Sequence, residues 1–140
     1  MRNIILLVLM ACLISCDPID DRLKIINNTN EEIFFSISKG ELFNKNPLFI
    51  SNKDTIWESS NIIYPMSNYN HALIGPNEWE YFINRDCEDS TLRIFFFRKE
   101  LIIDYEWDSI VKFQIYSDKK SFKVKELEIN NWEVTYDSKY

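Results

Sequence analysis

Cys16 is the residue whose surroundings point to a definite chemistry. Met1-Arg2-Asn3 supplies a short positive start, residues 4–14 form an apolar run, and Leu13-Ile14-Ser15-Cys16 matches the bacterial lipobox, in which a small residue precedes an acylated cysteine. On this reading the chain is cut before Cys16, whose thiol carries a diacylglycerol and whose freed amine takes a further acyl chain. Such a protein is anchored to a membrane without spanning it. Eleven apolar residues cover only about 16 Å as a helix, roughly half of a hydrocarbon core, which is short for a transmembrane anchor. Ordinary signal cleavage without acylation is the competing reading.

The other reactive side chains form no recognisable constellation. His71 is the only histidine, so any Ser-His-Asp or Cys-His mechanism has to use it, yet no nucleophile stands in a known elbow or signature. Glu78, Glu80, Asp86, Glu88 and Asp89 are close in sequence, and a pair of carboxylates is what glycoside hydrolysis requires. Asp86, Glu88 and Asp89 are also oxygen ligands of the kind calcium takes, although the loop lacks the central glycine of an EF-hand. A solvated acidic loop accounts for all of these residues equally well, so no catalytic or metal-binding residue and no cofactor is assigned. Trp57, Trp79, Trp107 and Trp132 could stack on a sugar only if exposed. Periodicity turns the last three inward and leaves Trp57 as the one to watch.

Composition narrows the partners. Removal of residues 1–15 leaves 125 residues, enough for one domain with a core, and 15 basic against 22 acidic side chains, a formal charge of −7. That balance repels phosphate backbones, so nucleic acid is not an expected partner. Of three cysteines, Cys12 leaves with the signal and Cys16 is blocked by lipid, so Cys87 has no partner within the chain and is expected to be sheltered and unreactive. Only Gly40 and Gly75 are glycines, which excludes a Gly-rich phosphate cradle.

The elements that must carry these residues are mostly strands. After a short acidic tether over residues 16–22, Leu23 to Ile26 and Ile33 to Ser38 predict a hairpin turned through Asn27-Asn28-Thr29-Asn30, with one face of the second strand buried. Residues 39–60 read as irregular, with Leu48-Phe49-Ile50 a short strand. Ile62-Ile63-Tyr64 and Ala72-Leu73-Ile74 are strands stopped by Pro65 and by Gly75-Pro76. Asn77 with Glu80 predicts a capped helix that packs Trp79 and Phe82 inward. Residues 91–97 alternate into a strand apolar on both faces, hence central. A helix over residues 105–111, a strand at Phe113-Gln114-Ile115-Tyr116, a helical turn capped by Ser121 and a closing strand through Trp132, Val134 and Tyr136 complete the chain.

This order of pieces resembles a group of small lipoproteins of the Bacteroidota. The residues that carry the resemblance are Asn27-Asn28-Thr29, Trp79-Glu80 with Phe82, Ile94 to Phe97, Trp107-Asp108-Ser109-Ile110, and Asn131-Trp132 with Tyr136. Many members follow the last Tyr with Pro, where Asp137 stands here. The resemblance implies a location and a fold and adds no catalytic residue. Acidic residues just after Cys16 resemble the sorting signals that send lipoproteins of that phylum to the cell surface; in some other Gram-negative bacteria, Asp17 in second position would retain the protein at the inner membrane. Asp54-Thr55-Ile56, Asp89-Ser90-Thr91 and Asp108-Ser109-Ile110 resemble that phylum's O-glycosylation sequon, with Thr55 and Ser90, in predicted loops, the better acceptors.

The expected protein is therefore mainly β, of α+β class: a signal peptide over residues 1–15, a tether over 16–22, and one domain over 23–140 built as an antiparallel sheet or sandwich with two or three short peripheral helices. It is expected to be an outer-membrane lipoprotein, lipid-anchored and surface-exposed, that binds or supports a protein or glycan partner without catalysis. A small carboxylate-based hydrolase acting on envelope or glycan substrates is the alternative.

Overall fold

The computed structural model describes residues 18–43 and 61–137 in full and residues 49–50 and 56–57 by their backbone alone. Residues 1–15, Cys16, Thr55 and the Trp57 side chain lie outside the described residues.

Among the described residues there are nine strands and four short helices. The strands are β1 (Ile19–Asn27), β2 (Ile33–Ser38), β3 (Phe49–Ile50), β4 (Ile56–Trp57), β5 (Ile62–Ile63), β6 (Ser67–Ile74), β7 (Leu92–Arg98), β8 (Asp118–Phe122) and β9 (Glu133–Tyr136). The helices are α1 (Glu78–Asp86), α2 (Lys99–Asp104), α3 (Trp107–Phe113) and α4 (Val124–Ile129). Among the described residues no helix is long and apolar enough to cross a membrane. The fold is a mixed α/β sandwich, with one helix more beside the sheets than the sequence predicts.

One sheet has the order β6-β1-β9 and the other β5-β2-β7-β8, while β3 and β4 pair with each other. Strand β1 runs antiparallel to β6, with Ile19 opposite Ile74 and Asn27 opposite Ser67, and parallel to β9, with Asn27 opposite Tyr136. The second sheet is antiparallel throughout. Alternation in β1 and β9 sends Leu23, Ile25, Val134 and Tyr136 to one face, where they meet Ile33, Phe35, Leu92, Ile94 and Phe96 from the other sheet. This is the principal core.

Strand β7 is covered on both sides, as its sequence predicts, because Phe95 and Phe97 point away from the sandwich into a second core. There Phe43 stands edge-on to Phe95 and Phe97, with ring centroids 5.1 and 5.2 Å away, and Ile102 and Ile110 close the layer from α2 and α3. Strand β2 is likewise covered on both faces, not one, since Phe34 enters the second core while Phe35 enters the first.

Five expectations are corrected. Strands β1 and β2 do not form a hairpin; they lie in different sheets, because the buried Asn27 side chain makes the turn a corner. Its Nδ2 donates to the carbonyls of Glu31, Ile63 and Tyr64. Strand β1 starts at Ile19, so the stretch 19–22 expected in a mobile tether is paired strand. The helix expected over 105–111 is α3, which begins at Trp107, and α2 precedes it over Lys99–Asp104, where the sequence predicts no helix. Residues 113–116 are not strand: Gln114 ends α3 in the left-handed region at φ 52°, and its side chain holds Phe43 by accepting that residue's N–H at 3.1 Å and donating to its carbonyl. Ser121, the expected cap, lies in β8, and it is Glu126 of α4 that accepts the N–H of Lys123 at 2.7 Å.

Candidate functional site

The five clustered carboxylates are dispersed by helix α1 and by the turn that follows it. Glu78 begins the helix and Asp86 ends it, about 12 Å apart at the helical rise. Asn77 does not cap α1; its backbone is left-handed at φ 54° and its side chain makes no cap bond. The cap comes from β1, where the buried carboxylate of Asp20 accepts the N–H of Trp79 at 3.1 Å. Arg22 joins the two elements by pairing with both Asp20 and Glu80, and its guanidinium lies 4.4 Å from the centre of the Trp132 ring. That guanidinium holds the Asp20 carboxyl below its ordinary range, against the desolvation that pushes it up.

Beyond α1, residues 88–90 form a short 3₁₀ turn rather than an open loop. Asp86 is paired with Arg85 and Lys39, and Glu88 accepts the N–H of Glu41 at 3.3 Å. A hollow of about 500 Å³ is lined here by Lys39, Gly40, Glu41, Leu42, Asp86 and Glu88. Like the hollow of about 760 Å³ lined by Glu78 and Glu80, it is a concavity that the hydrolase alternative could use. Its electrostatics run the wrong way for that chemistry: Arg85 and Lys39 hold the Asp86 carboxyl well below the usual carboxylate range, and Lys119 and Arg93 lower Glu41. A glycosidase acid must stay protonated, which requires the opposite shift. Among the described residues no group of three or more His, Cys, Asp or Glu side chains is arranged to hold a metal ion, so Asp86, Glu88 and Asp89 are not brought together as calcium ligands.

His71 lies in β6 among aromatic rings, those of Phe35, Tyr69 and Trp79, at centroid distances of 5.7 to 6.2 Å. Its Nδ1 is buried without a hydrogen-bond partner among the described residues, and burial lowers its pKa. Cys87 is free and buried, as expected, and burial pushes its thiol up. Neither group is activated as a nucleophile or its base. Trp79 and Trp132 are buried in the principal core and offer no free face to a sugar, while Trp107 is half-buried and packs on Phe43 and Phe97. Ser90 is half-buried in the 3₁₀ turn with φ 51°. Ser109, in the sequon set aside from the favoured pair, falls within α3.

A concave site that the sequence does not reveal lies where β7, β8 and β9 meet α2. Arg98, Leu101, Tyr116, Ser117, Asp118 and Tyr136 line a cleft of about 330 Å³, within the range of small-ligand sites. Ser117 organises it: its hydroxyl accepts the N–H of Arg98 at 2.9 Å, and its own N–H donates to the Phe96 carbonyl at 2.8 Å. Burial pushes the Tyr136 hydroxyl up, the positive field of Arg98 opposes it, and Asp118 and Glu31 add to it. Two phenols, a hydroxyl, a cation and two carboxylates, those of Asp118 and Asp137, thus converge on one cleft, a set suited to holding a polar ligand. Its members come from residues 98 to 137 and share no spacing a motif could report.

No protein-family model, no curated protein and no solved structure matches the chain.

Proposed function

We propose that the protein is an outer-membrane lipoprotein held by acyl chains on Cys16, and that its domain binds or supports another component of the envelope without catalysing a reaction. The observation that carries this reading is the lipobox ending at Cys16, two residues before Pro18, whose carbonyl already accepts the N–H of Gly75 at 2.8 Å. A folded domain beginning so soon after an acylated cysteine fits a short covalent anchor. The cleft around Ser117 and Tyr136 is where a polar envelope component, such as a glycan, would be held. The carboxylates of Glu41 and Asp86, held ionised by the cations paired with them, weigh against the hydrolase.

The test is Cys16→Ser followed by fractionation. Without the thiol no diacylglycerol is attached, and the roughly 0.8 kcal/mol per buried methylene that holds the chain on the membrane is lost. The variant is expected in the soluble fraction or as uncleaved precursor. Normal maturation with retention in the membrane pellet after a salt and carbonate wash would overturn the reading.

A further inference from the structure

We propose that the end of the domain carrying Ile19 and Ile74 rests against the headgroup layer of a zwitterionic membrane, and that this contact holds the Ser117–Tyr136 cleft away from the lipid. The inference rests on the reading of Cys16 as the lipid-bearing residue.

Ile19 and Ile74 are directly opposite one another at the first register position of the β1–β6 pair. They are 65% and 75% exposed, while every other Leu or Ile of those two strands is buried or half-buried. Pro18 and Pro76, both exposed, flank the pair, and Tyr81, one helical turn into α1, lines a hollow together with Pro76. Two β-branched side chains left bare as a cross-strand pair are an apolar surface without a cover in the domain.

The covalent chain supplies the cover. The bond from Gly75 N–H to the Pro18 carbonyl fixes Pro18 to the domain, so the Cα of Cys16 can stand no more than about 7 Å from that of Pro18 even at full extension. A headgroup layer is itself roughly 6 Å deep. With Cys16 acylated at the base of that layer, even full extension raises Pro18 by only about 7 Å, so the end of the domain carrying Ile19 and Ile74 is kept at the headgroup boundary. At the same end Asp20, Asp21, Glu78 and Glu80 outnumber Arg22 and Arg85, a balance that an anionic surface repels and that favours zwitterionic lipid.

The orientation of the remainder follows from register. Strand β1 carries the chain about 27 Å from Ile19 to Asn27. At its far end lie Tyr136, paired with Asn27, the turn at Tyr64, held by Asn27, and Arg98, opposite Ile33 at the start of β2. The cleft built on Arg98 and Tyr136 is thus at the end remote from the anchor.

The test uses the acylated protein extracted from membranes and reconstituted in phosphatidylcholine vesicles. Ile74→Cys and Tyr64→Cys are each labelled with one fluorophore, since Cys16 is blocked and Cys87 buried, and quenched by a lipid bearing a nitroxide on its headgroup. Co-flotation with vesicles and severalfold stronger quenching at position 74 than at 64 is the expected result. Co-flotation with equal quenching at the two positions would overturn the orientation and leave the anchor standing. Failure of both labelled proteins to float would overturn the anchor and this inference together.

Discussion

The carboxylate of Asp20 caps the helix that contains Trp79 from a strand 59 residues earlier in the chain. Asp20 is only 5% exposed, so the helix terminus, the Arg22 ion pair and the pairing of β1 depend on one nearly dry carboxyl. A negative group at a helix N-terminus is favourable, and a buried one already matched by a guanidinium is costly to remove.

Asp20→Ala is accordingly expected to cost about 2–4 kcal/mol, through an uncapped Trp79 N–H and an Arg22 left with Glu80 alone. The pH dependence has a definite sign. Because the folded pKa lies below the ordinary value of about 3.9, the stabilisation is full above that value and is lost as pH falls through the folded pKa. Denaturant midpoints should fall below about pH 4, and Asp20→Asn should flatten that part of the profile. An Asp20→Ala midpoint equal to that of the native protein would refute the account.

Asn27 is fully buried, and its side chain makes five hydrogen bonds: three from Nδ2 to carbonyls and two accepted by Oδ1 from Thr29. Asn27→Asp keeps the acceptor, removes both donor hydrogens and buries a charge facing carbonyl oxygens. It is expected to destabilise by at least the 2–3 kcal/mol or so of an unsatisfied buried network, and by no less than Asn27→Ala. Thermal melts of the two variants decide the order.

How much of this was readable beforehand differs by element. Residues 91–97 announce β7 because local alternation and burial agree there, and the Trp132, Val134 and Tyr136 alternation likewise announces β9. The Asn27 turn was visible as a turn, yet nothing local says whether the next strand pairs with the last or crosses to a second sheet. That choice is made by Ile63 and Tyr64, 36 and 37 residues away. Phe43 gave no signal, since it sits alone in an irregular stretch and is buried only because Gln114 and the rings of Phe95 and Phe97 receive it. The cleft around Ser117 was illegible for the same reason, being assembled from side chains whose only relation is tertiary.

Phe96 and Phe113 provide a paired test of the core assignment. Phe96 is fully buried in the central strand with its ring 5.0 Å from that of Tyr136, whereas Phe113 is mostly exposed at the end of α3. Phe96→Ala is expected to cost about 3–5 kcal/mol, and Phe113→Ala no more than about 0.5 kcal/mol. Equilibrium urea unfolding measures both, and comparable losses would mean that the buried position of Phe96 or the exposed position of Phe113 has been misassigned.

His71 gives the last prediction, and the chain's single histidine makes the signal clean. Its ring is packed by Phe35, Tyr69 and Trp79, and burial lowers its pKa without an ionic partner to offset the effect. Below the ordinary histidine value of about 6.5, the unfolded chain takes up a proton that the folded one declines. Stability is therefore highest above that value, falls as pH is lowered towards the folded pKa, and levels off beneath it. This decline begins at a higher pH than the one due to Asp20, so a denaturation profile from pH 8 to pH 3 should start to fall below about pH 6.5 and fall further below about pH 4. His71→Phe removes the titration and also the unpartnered Nδ1, in a site whose neighbours are already rings. The variant should lack the upper decline, keep the lower one, and equal or exceed the native protein by about 1 kcal/mol at neutral pH. An upper decline that survives in His71→Phe would show that some other group titrates there and that the buried imidazole is not its source.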